Sequence, residues 1–353
     1  MSIQAVADKA GVSIATVSRV FNAPDKVLPA TRALVESVAR ELGYLPSASA
    51  RTLRTQRSRV LGVVLPTLLN PTFAECLQGL AQAAAEAGHA IVPLTTGYDL
   101  DAEQRAVDQL LAREVEGMVL VISNPQTSAA LARLQARQRP YVLAYNRHPA
   151  HCCVAVDNEA ASAEAVAHLA ALGHRRIAMV SGTLAQSDRS QQRHRGFLVG
   201  MAAAGLDAPP LIEVPFVEAA ADTLRARLAA SDRPTALFCS NDLLAIRAVR
   251  AAHLAGLRVP QDLSVMGFDG IALGDELTPR LGTIEQPAAD IGRRAAQLLM
   301  AALDEQRTPL PADSLLLPHR LRTGESCAPP PPYAAAGEHA SPTTPKSRRR
   351  PAR

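Results

Sequence analysis

The chain has 353 residues, room for two or three domains at roughly 150 residues each. Hydrophobic residues make up 48% and aromatics only 3%, with no Trp, so aliphatic side chains and Ala must fill the core. No apolar run reaches the ~18–20 residues of a membrane span, and the opening MSIQAVADKAGVS has no apolar signal core, so a cytoplasmic location with no membrane partner is expected.

Net charge is +4, unevenly spread. Residues 1–60 hold nine Lys/Arg against four Asp/Glu, residues 61–322 hold 23 against 27, and the remainder five against two. A basic head on a mildly acidic body points to a polyanionic partner for the head alone. The five cysteines, Cys76, Cys152, Cys153, Cys239 and Cys327, form no CxxC pair and stand mostly in apolar contexts. They are read as buried free thiols, with no metal site, disulfide or cofactor expected.

In chain order, residues 2–44 read as three short helices. The first turns Ile3, Val6, Ala7 and Ala10 to one side. Gly11-Val12-Ser13 makes a turn whose Ser13 can cap a second helix over 14–22, with Val17, Val20 and Phe21 inward. A third over 31–42 puts Leu34, Val35, Val38 and Leu42 inward, with Pro29 in its first turn and Gly43 as its stop. Residues 45–59, LPSASARTLRTQRSR, are a polar, basic linker of marginal helix propensity. From 60 to about 322, apolar strand candidates (60–66, 90–96, 117–123, 140–146, 153–157, 176–182, 235–241 and 263–269) alternate with amphipathic helices at 73–87, 103–113, 158–172, 194–204, 242–255 and 287–304. That alternation implies parallel sheets covered on both faces. About 260 residues exceed one open sheet, so two lobes follow. The tail from 323, with Pro329–Pro332 and a closing SRRRPAR, is expected to be disordered.

Function concentrates in two places. In the head, Ala7, Gly11 and Val17 stand four and six positions apart. A helix-turn-helix needs such residues where its helices cross, where the chain turns, and where the second helix seats. The second helix is then the DNA reader, with Ile14, Ala15, Thr16, Ser18 and Arg19 facing away from the core. Arg19 suits a bidentate contact to guanine, and Ile14 and Ala15 suit a thymine methyl. Thr16, Ser18 and Asn22 suit phosphate. In the body, the carboxyl ends of the strands are polar: Thr67, Thr96, Ser123 and Asn124, Tyr145 and Asn146, Ser181, Ser240 to Asp242, and Asp269. Ligands of open parallel sheets bind at those ends, and polyols need such paired donors and acceptors.

The stretches VADKAGVSIATVSRVFNAPDKV and LGYLPSASARTLRTQRSRVLGVVLP resemble the lactose/galactose-repressor family, and NPTFAE, LGHRRIA, RGF, SND and GFD recur downstream at that family's spacing. The resemblance spans about residues 2–322. It implies an all-α helix-turn-helix head (1–44), a hinge or linker (45–59) and a two-lobed α/β body like a periplasmic binding protein (60–322). The body would cross between lobes near 157–159, 283–287 and 313–315. It further implies that 47–55 fold into a hinge helix on DNA, with Leu53 wedged into the minor groove and Ala50 beside it. Effector-contacting positions fall on Phe73, Asn146, Arg193, Asn241 and Asp269, and the DNA-bound species is a homodimer. One departure is Leu28, where the family usually carries a polar helix cap.

The expected activity is therefore a DNA-binding transcriptional repressor released from a palindromic operator by a sugar or sugar acid. The competing class, a solute receptor without DNA function, would lack a basic head and carry an export signal. No GxSxG, HExxH or Walker loop occurs, and His168 and His174 read as helix-closing residues, so catalysis is not expected.

Overall fold

A computed structural model describes residues 1–45, 57–216 and 221–331. It divides into two compact units, residues 1–60 with 114–116, and the rest of the chain.

In the first unit, α1 (Ile3–Ala10) begins at Ser2, whose hydroxyl accepts from the Ala5 amide at 3.3 Å. It stops at Gly11, which turns the chain at a φ of 65°. Next, α2 (Ile14–Asn22) begins at Ser13, whose Oγ accepts from the Thr16 amide at 3.1 Å, so the cap read from the sequence forms. Then α3 (Pro29–Glu41) begins after Leu28, which supplies no side-chain cap, and has Pro at the start of its first turn. The three helices close over Val6, Ala7, Val17, Val20, Val35, Val38 and Ala39. Leu34 is not in that core: it is 50% exposed. The buried stripe of α3 is Val35, Val38, Ala39 and partly buried Leu42, which repeats at helical spacing, and Leu34 lies about 100° off it.

The body contains two six-stranded sheets. The first is built from β1 (Val60–Leu65), β2 (Ala90–Thr95), β3 (Gly117–Leu120), β4 (Tyr141–Ala144), β5 (Cys153–Ala155) and β11 (Leu315–Leu316), in the order β11-β5-β4-β3-β1-β2. The second holds β6 (Ile177–Gly182), β7 (Ile212–Val214), β8 (Ala236–Cys239), β9 (Ser264–Asp269), β10 (Gly282–Glu285) and β12 (Arg320–Arg322), in the order β12-β10-β9-β8-β6-β7. β10 and β12 pair antiparallel, while β1–β3, β3–β4, β4–β5, β5–β11, β6–β7, β6–β8, β8–β9 and β9–β10 pair parallel. The helices between are α4 (Pro71–Glu86), α5 (Leu100–Ala112), α6 (Ala129–Ala136), α7 (Asn158–Ala171), α8 (Asp188–Ala203), α9 (Ala221–Leu228), α10 (Asp242–Leu254) and α11 (Ala288–Asp304).

The sequence pattern shows neither α6 and α9 nor β7, β10, β11 and β12. These strands are two to four residues long, too short for a period to register. The chain passes from the first sheet to the second lobe between β5 and α7, and back between β10 and α11. The third passage falls between Leu317 and Arg320, not near 313–315, because β11 still pairs with β5 and the Leu317 amide still donates to the Ala155 carbonyl at 2.8 Å.

In the first lobe α4 and α11 cross at two glycines. A Cβ on Gly79 would lie 2.0 Å from the Ala289 carbonyl oxygen, and one on Gly292 would lie 1.9 Å from that of Cys76. Only hydrogen at both positions lets the helices touch backbone to backbone.

The segment after 323 is not free, as the sequence suggested, but docked as far as Ala328. Ser326 donates its hydroxyl to the Val265 carbonyl at 2.6 Å and accepts from the Gly282 amide at 2.9 Å. Buried His174 lies 2.9 Å from the Thr235 hydroxyl, 3.0 Å from that of Ser264 and 2.9 Å from the Ala328 carbonyl. Backbone groups along β9 and β10 thus find partners in a stretch of small residues that carries no apolar signal. The Pro-rich and basic remainder, 332–353, lies outside the described residues.

Two measurements follow. Gly292→Ala forces α4 and α11 apart and lowers unfolding free energy by about 3 kcal/mol, read by chemical denaturation; a loss under ~0.5 kcal/mol contradicts the close crossing. Burial, the leading cause, lowers the pKa of His174 below its ordinary 6.5, so the unfolded chain takes the proton first. Its contribution to stability is complete above about pH 6.5 and is lost as pH falls further. Between pH 7 and 5 the stability of His174→Gln should fall less steeply than that of the unsubstituted protein.

Candidate DNA-reading face and effector cleft

On α2, Ile14, Ala15, Arg19 and Asn22 are exposed, while Thr16 and Ser18 are half-buried. Thr16 Oγ1 lies 2.9 Å from Ser13 Oγ, so its hydroxyl stays at the helix start beside the cap. Asn22 turns its amide back onto the Ser18 carbonyl at 2.6 Å. These six residues share one side of a helix whose opposite side carries buried Val17 and Val20. Ala50 and Leu53 lie outside the described residues.

The second site lies where the carboxyl ends of both sheets meet. Phe73, Arg193, Asn241 and Asp269 line one cavity there, together with Asn70, Thr72, Tyr98, Tyr145, Arg189, Phe216 and Gln286. Asp269 ends β9 with a φ of 121°, followed by Gly270 at 79°. Few L-residues adopt that conformation, and neighbouring hydrogen bonds hold it. Asp242, fully buried at the start of α10, accepts from the Gly270 and Ile271 amides through Oδ2, both at 2.8 Å, and from the Thr283 hydroxyl at 2.6 Å. Its carboxylate rests on Gly267, where a Cβ would lie 2.1 Å from Oδ1. The SND and GFD motifs are therefore two halves of one device: the acid of the first clamps the turn of the second.

Asp269 in turn accepts from Asn70 Nδ2 of the first lobe at 3.1 Å and from Gln286 Nε2 at 2.7 Å. Arg193 lies 3.4 Å from Asp269 Oδ1 through Nη1, donates from Nε to Asn158 at 2.8 Å and from Nη1 to the Ser240 carbonyl, and packs 3.7 Å over the Phe268 ring. Desolvation, the leading cause, pushes the Asp269 carboxyl up, Arg193 opposing it, and pulls the guanidinium of Arg193 down, Asp269 opposing that. Burial likewise raises Asp242 to about 7, with Asp269 adding to it.

Asn241 accepts from the Leu244 amide at 2.8 Å and so caps α10 from the cavity wall. Phe73 is 5% exposed and meets Tyr145 edge-on at 5.5 Å between ring centres. Asn146, fully buried, is not in the lining. Its amide is spent on Ile122 N (3.0 Å), Ile122 O (2.9 Å) and Asp188 Oδ1 (2.6 Å), the last across the lobes. Further cross-lobe bonds run from Arg189 Nη1 to the Ile122 carbonyl at 2.7 Å and from the Asp188 amide to the Ser123 carbonyl at 2.7 Å. Over the cleft, Tyr98 and Phe216 stack at 4.5 Å, 9° from parallel. Together these close the lobes around a space of about 20 Å³, room for little more than one water, so a ligand enters by opening them.

Sequence reasoning did not single out Asn70, Tyr98, Arg189, Phe216 and Gln286. Arg189 had a signal, standing one helical turn before Arg193, but α8 begins at Asp188, six residues before the expected start, under a cap from Ser187. Tyr98 and Phe216 lie in loops, where no period marks a ring that faces another lobe. Among the described residues no cluster of His, Cys, Asp and Glu is suited to a metal, and no helix is long and apolar enough to cross a membrane.

A capped helix-turn-helix and a two-lobed body closing over polar strand ends define a DNA-binding regulator with an effector-binding domain. Residues 2–47 match the family described as bacterial regulatory proteins, lacI family, and residues 166–327 match the periplasmic binding protein-like domain. The HTH-type transcriptional repressor CytR of Escherichia coli (strain K12) is 34% identical over 306 residues, 85% of this chain and 89% of that protein. Among solved structures, the lac repressor dimer bound to operator and the anti-inducer ONPF aligns with a TM-score of 0.83 at 26% identity, covering 93% of this chain and 99% of that one. A complex of the transcriptional regulator CelR with cellobiose aligns with a TM-score of 0.68 at 27% identity, covering 92% and 99%. The chain belongs to the LacI family of transcriptional regulators.

The buried pairing makes a prediction about stability. Asp269→Ala strands the charge of Arg193 and the amides of Asn70 and Gln286, and should cost about 3–5 kcal/mol in chemical denaturation. Asp269→Asn keeps an acceptor oxygen and should cost less than half as much. Equal losses would show that the charge of Asp269 matters more than its hydrogen bonds.

Proposed function

We propose that this regulator binds a palindromic operator as a homodimer, represses transcription there, and lets go when a hydroxylated small molecule, a sugar or sugar acid, occupies the cleft. The observation that carries the reading is the pairing of an outward α2 face bearing Arg19 with a closed cleft lined by hydrogen-bonding side chains. Family membership supports both halves: LacI-family regulators act as dimers on operator DNA and answer to small effectors, and the similar regulator CelR forms a complex with cellobiose, a disaccharide. The site of action is the cytoplasm, at the nucleoid, and the protein performs no chemistry on its effector.

On the operator, α2 lies in the major groove. Arg19 reads a guanine, Ile14 and Ala15 meet thymine methyls, and Thr16, Ser18 and Asn22 hold phosphates. Residues 47–55 order as a hinge helix on DNA, with Leu53 wedged into the minor groove beside Ala50. In the cleft, Phe73 supports the face of the ligand, while Arg193, Asn241 and Asp269 form its polar floor. Asn146 acts from the side by holding the lobes together rather than by touching the ligand. Occupation changes lobe closure, and a coupling of ~1–3 kcal/mol per site is enough to shift operator occupancy.

Gel-shift titration on palindromic DNA tests this. Arg19→Ala should weaken binding to the preferred site by ~1–3 kcal/mol, roughly five- to 150-fold, and leave salt-sensitive binding to random DNA nearly unchanged. Leu53→Ala should lower operator affinity about tenfold and leave the thermal shift given by a bound effector unchanged. Absence of salt-sensitive binding to any palindrome would refute the operator assignment, and equal loss of operator and effector binding in Leu53→Ala would refute the wedge.

A further inference from the structure

We propose that the interlobe cleft selects an uncharged effector, receives one of its acceptor oxygens on Nη2 of Arg189, and rejects the corresponding acids. This rests on the effector reading above and narrows it.

The charged side chains that are buried in the body gather at this one place. Among the described residues they are Glu103, Asp188, Asp242 and Asp269 against Arg189 and Arg193. Four carboxylates thus face two guanidiniums. Burial already pushes Asp188 up to about 6 and Asp242 up to about 7, despite the arginines and hydrogen bonds that favour the ionised form of each. Burial raises Glu103 as well. The cleft therefore already holds more acids than guanidiniums, and those acids disfavour a further buried anion.

The donors are also unequally occupied. Arg193 is committed to Asn158, Ser240 and Asp269. Arg189 commits Nη1 to the Ile122 carbonyl and to Asp188, but its Nη2 is buried and has no hydrogen-bond partner among the described residues. Asp188 is already engaged elsewhere: Oδ1 also accepts from Asn146, and Oδ2 accepts from Gln192. Arg189 lines the cavity, as does Ser240, whose hydroxyl is likewise buried without a partner among the described residues. A buried donor left unpaired is costly, and more so when charged. A hydroxyl, ring or carbonyl oxygen of the effector relieves that cost without adding charge. A carboxylate would also satisfy Nη2, but only by bringing a fifth acid into the cluster. The parallel Tyr98–Phe216 pair adds an uncharged roof, suited to the face of a ring.

The test uses the full-length protein and matched probes: D-glucose with D-glucuronate, D-galactose with D-galacturonate, and D-ribose with D-ribonate. Thermal shift finds the pairs that bind, and isothermal titration gives the affinities. In every pair that binds, the neutral member should bind at least tenfold more tightly than its acid. Arg189→Met should weaken the neutral ligand at least tenfold, and Asp188→Asn should shrink the gap between neutral ligand and acid. Melting curves of both variants check that the body stays folded. The comparison within the unsubstituted protein needs no variant and stands if either fails to fold. An acid that binds as tightly as its neutral counterpart overturns the inference and leaves the wider effector reading intact. If neither member of any pair raises the melting temperature, the sugar-type reading itself falls, and this inference with it.

Discussion

Two buried arginines hold together a cleft whose other charges are carboxylates, and most of the body is arranged around that imbalance. Arg193 reaches Asp269 and the Ser240 carbonyl from α8 while Phe268 lies under its guanidinium, and Arg189 ties the same helix to the Ile122 carbonyl of the opposite lobe. Desolvated charges are tolerated in a protein interior only when paired and hydrogen-bonded. The many bonds that converge on Asp188, Asp242 and Asp269 are what that requirement looks like in this molecule.

Closure follows from the same groups. The lobes meet through Asn70–Asp269, Asn146–Asp188 and Arg189–Ile122, and each bond joins a residue of one sheet's rim to a residue of the other's. The second lobe brings the charges and the first brings amide and carbonyl partners, so opening exposes charged groups that water can solvate, and closing demands that each find its partner again. Bonds that must all be remade on closing favour discrete arrangements over a continuum, the property a ligand-driven switch needs. The side chains that close the lobes, Asn70, Arg189 and Asp269, also line the cavity between them.

In the first lobe, where α4 meets α11, glycines bring the backbones into contact. In the second, the docked segment through Ser326 and Ala328 bonds to β9 and β10, the strands that carry Asp269 and lead to Gln286.

The head is legible almost residue by residue. Cap, turn glycine and apolar spacing are local signals, and they place α2 at 14–22 and the inward face of α1; Leu34 misleads, because one added apolar residue beside a stripe cannot be told from the stripe itself. The alternation of long strands and helices likewise reveals a two-lobed parallel α/β body. Arg193, Asn241 and Asp269 stand out through motifs at strand ends and a helix start. Only the tertiary structure could decide what those residues face. That Asn146 spends its amide across the lobes, that Asn70 meets Asp269, and that Arg189, Tyr98 and Phe216 belong to the site all depend on contacts between segments 24 to 199 positions apart. Hydrophobic period and capping act within a few residues of chain. Charge pairing and ring stacking act through space, and the sequence carries no record of which distant side chain will stand opposite.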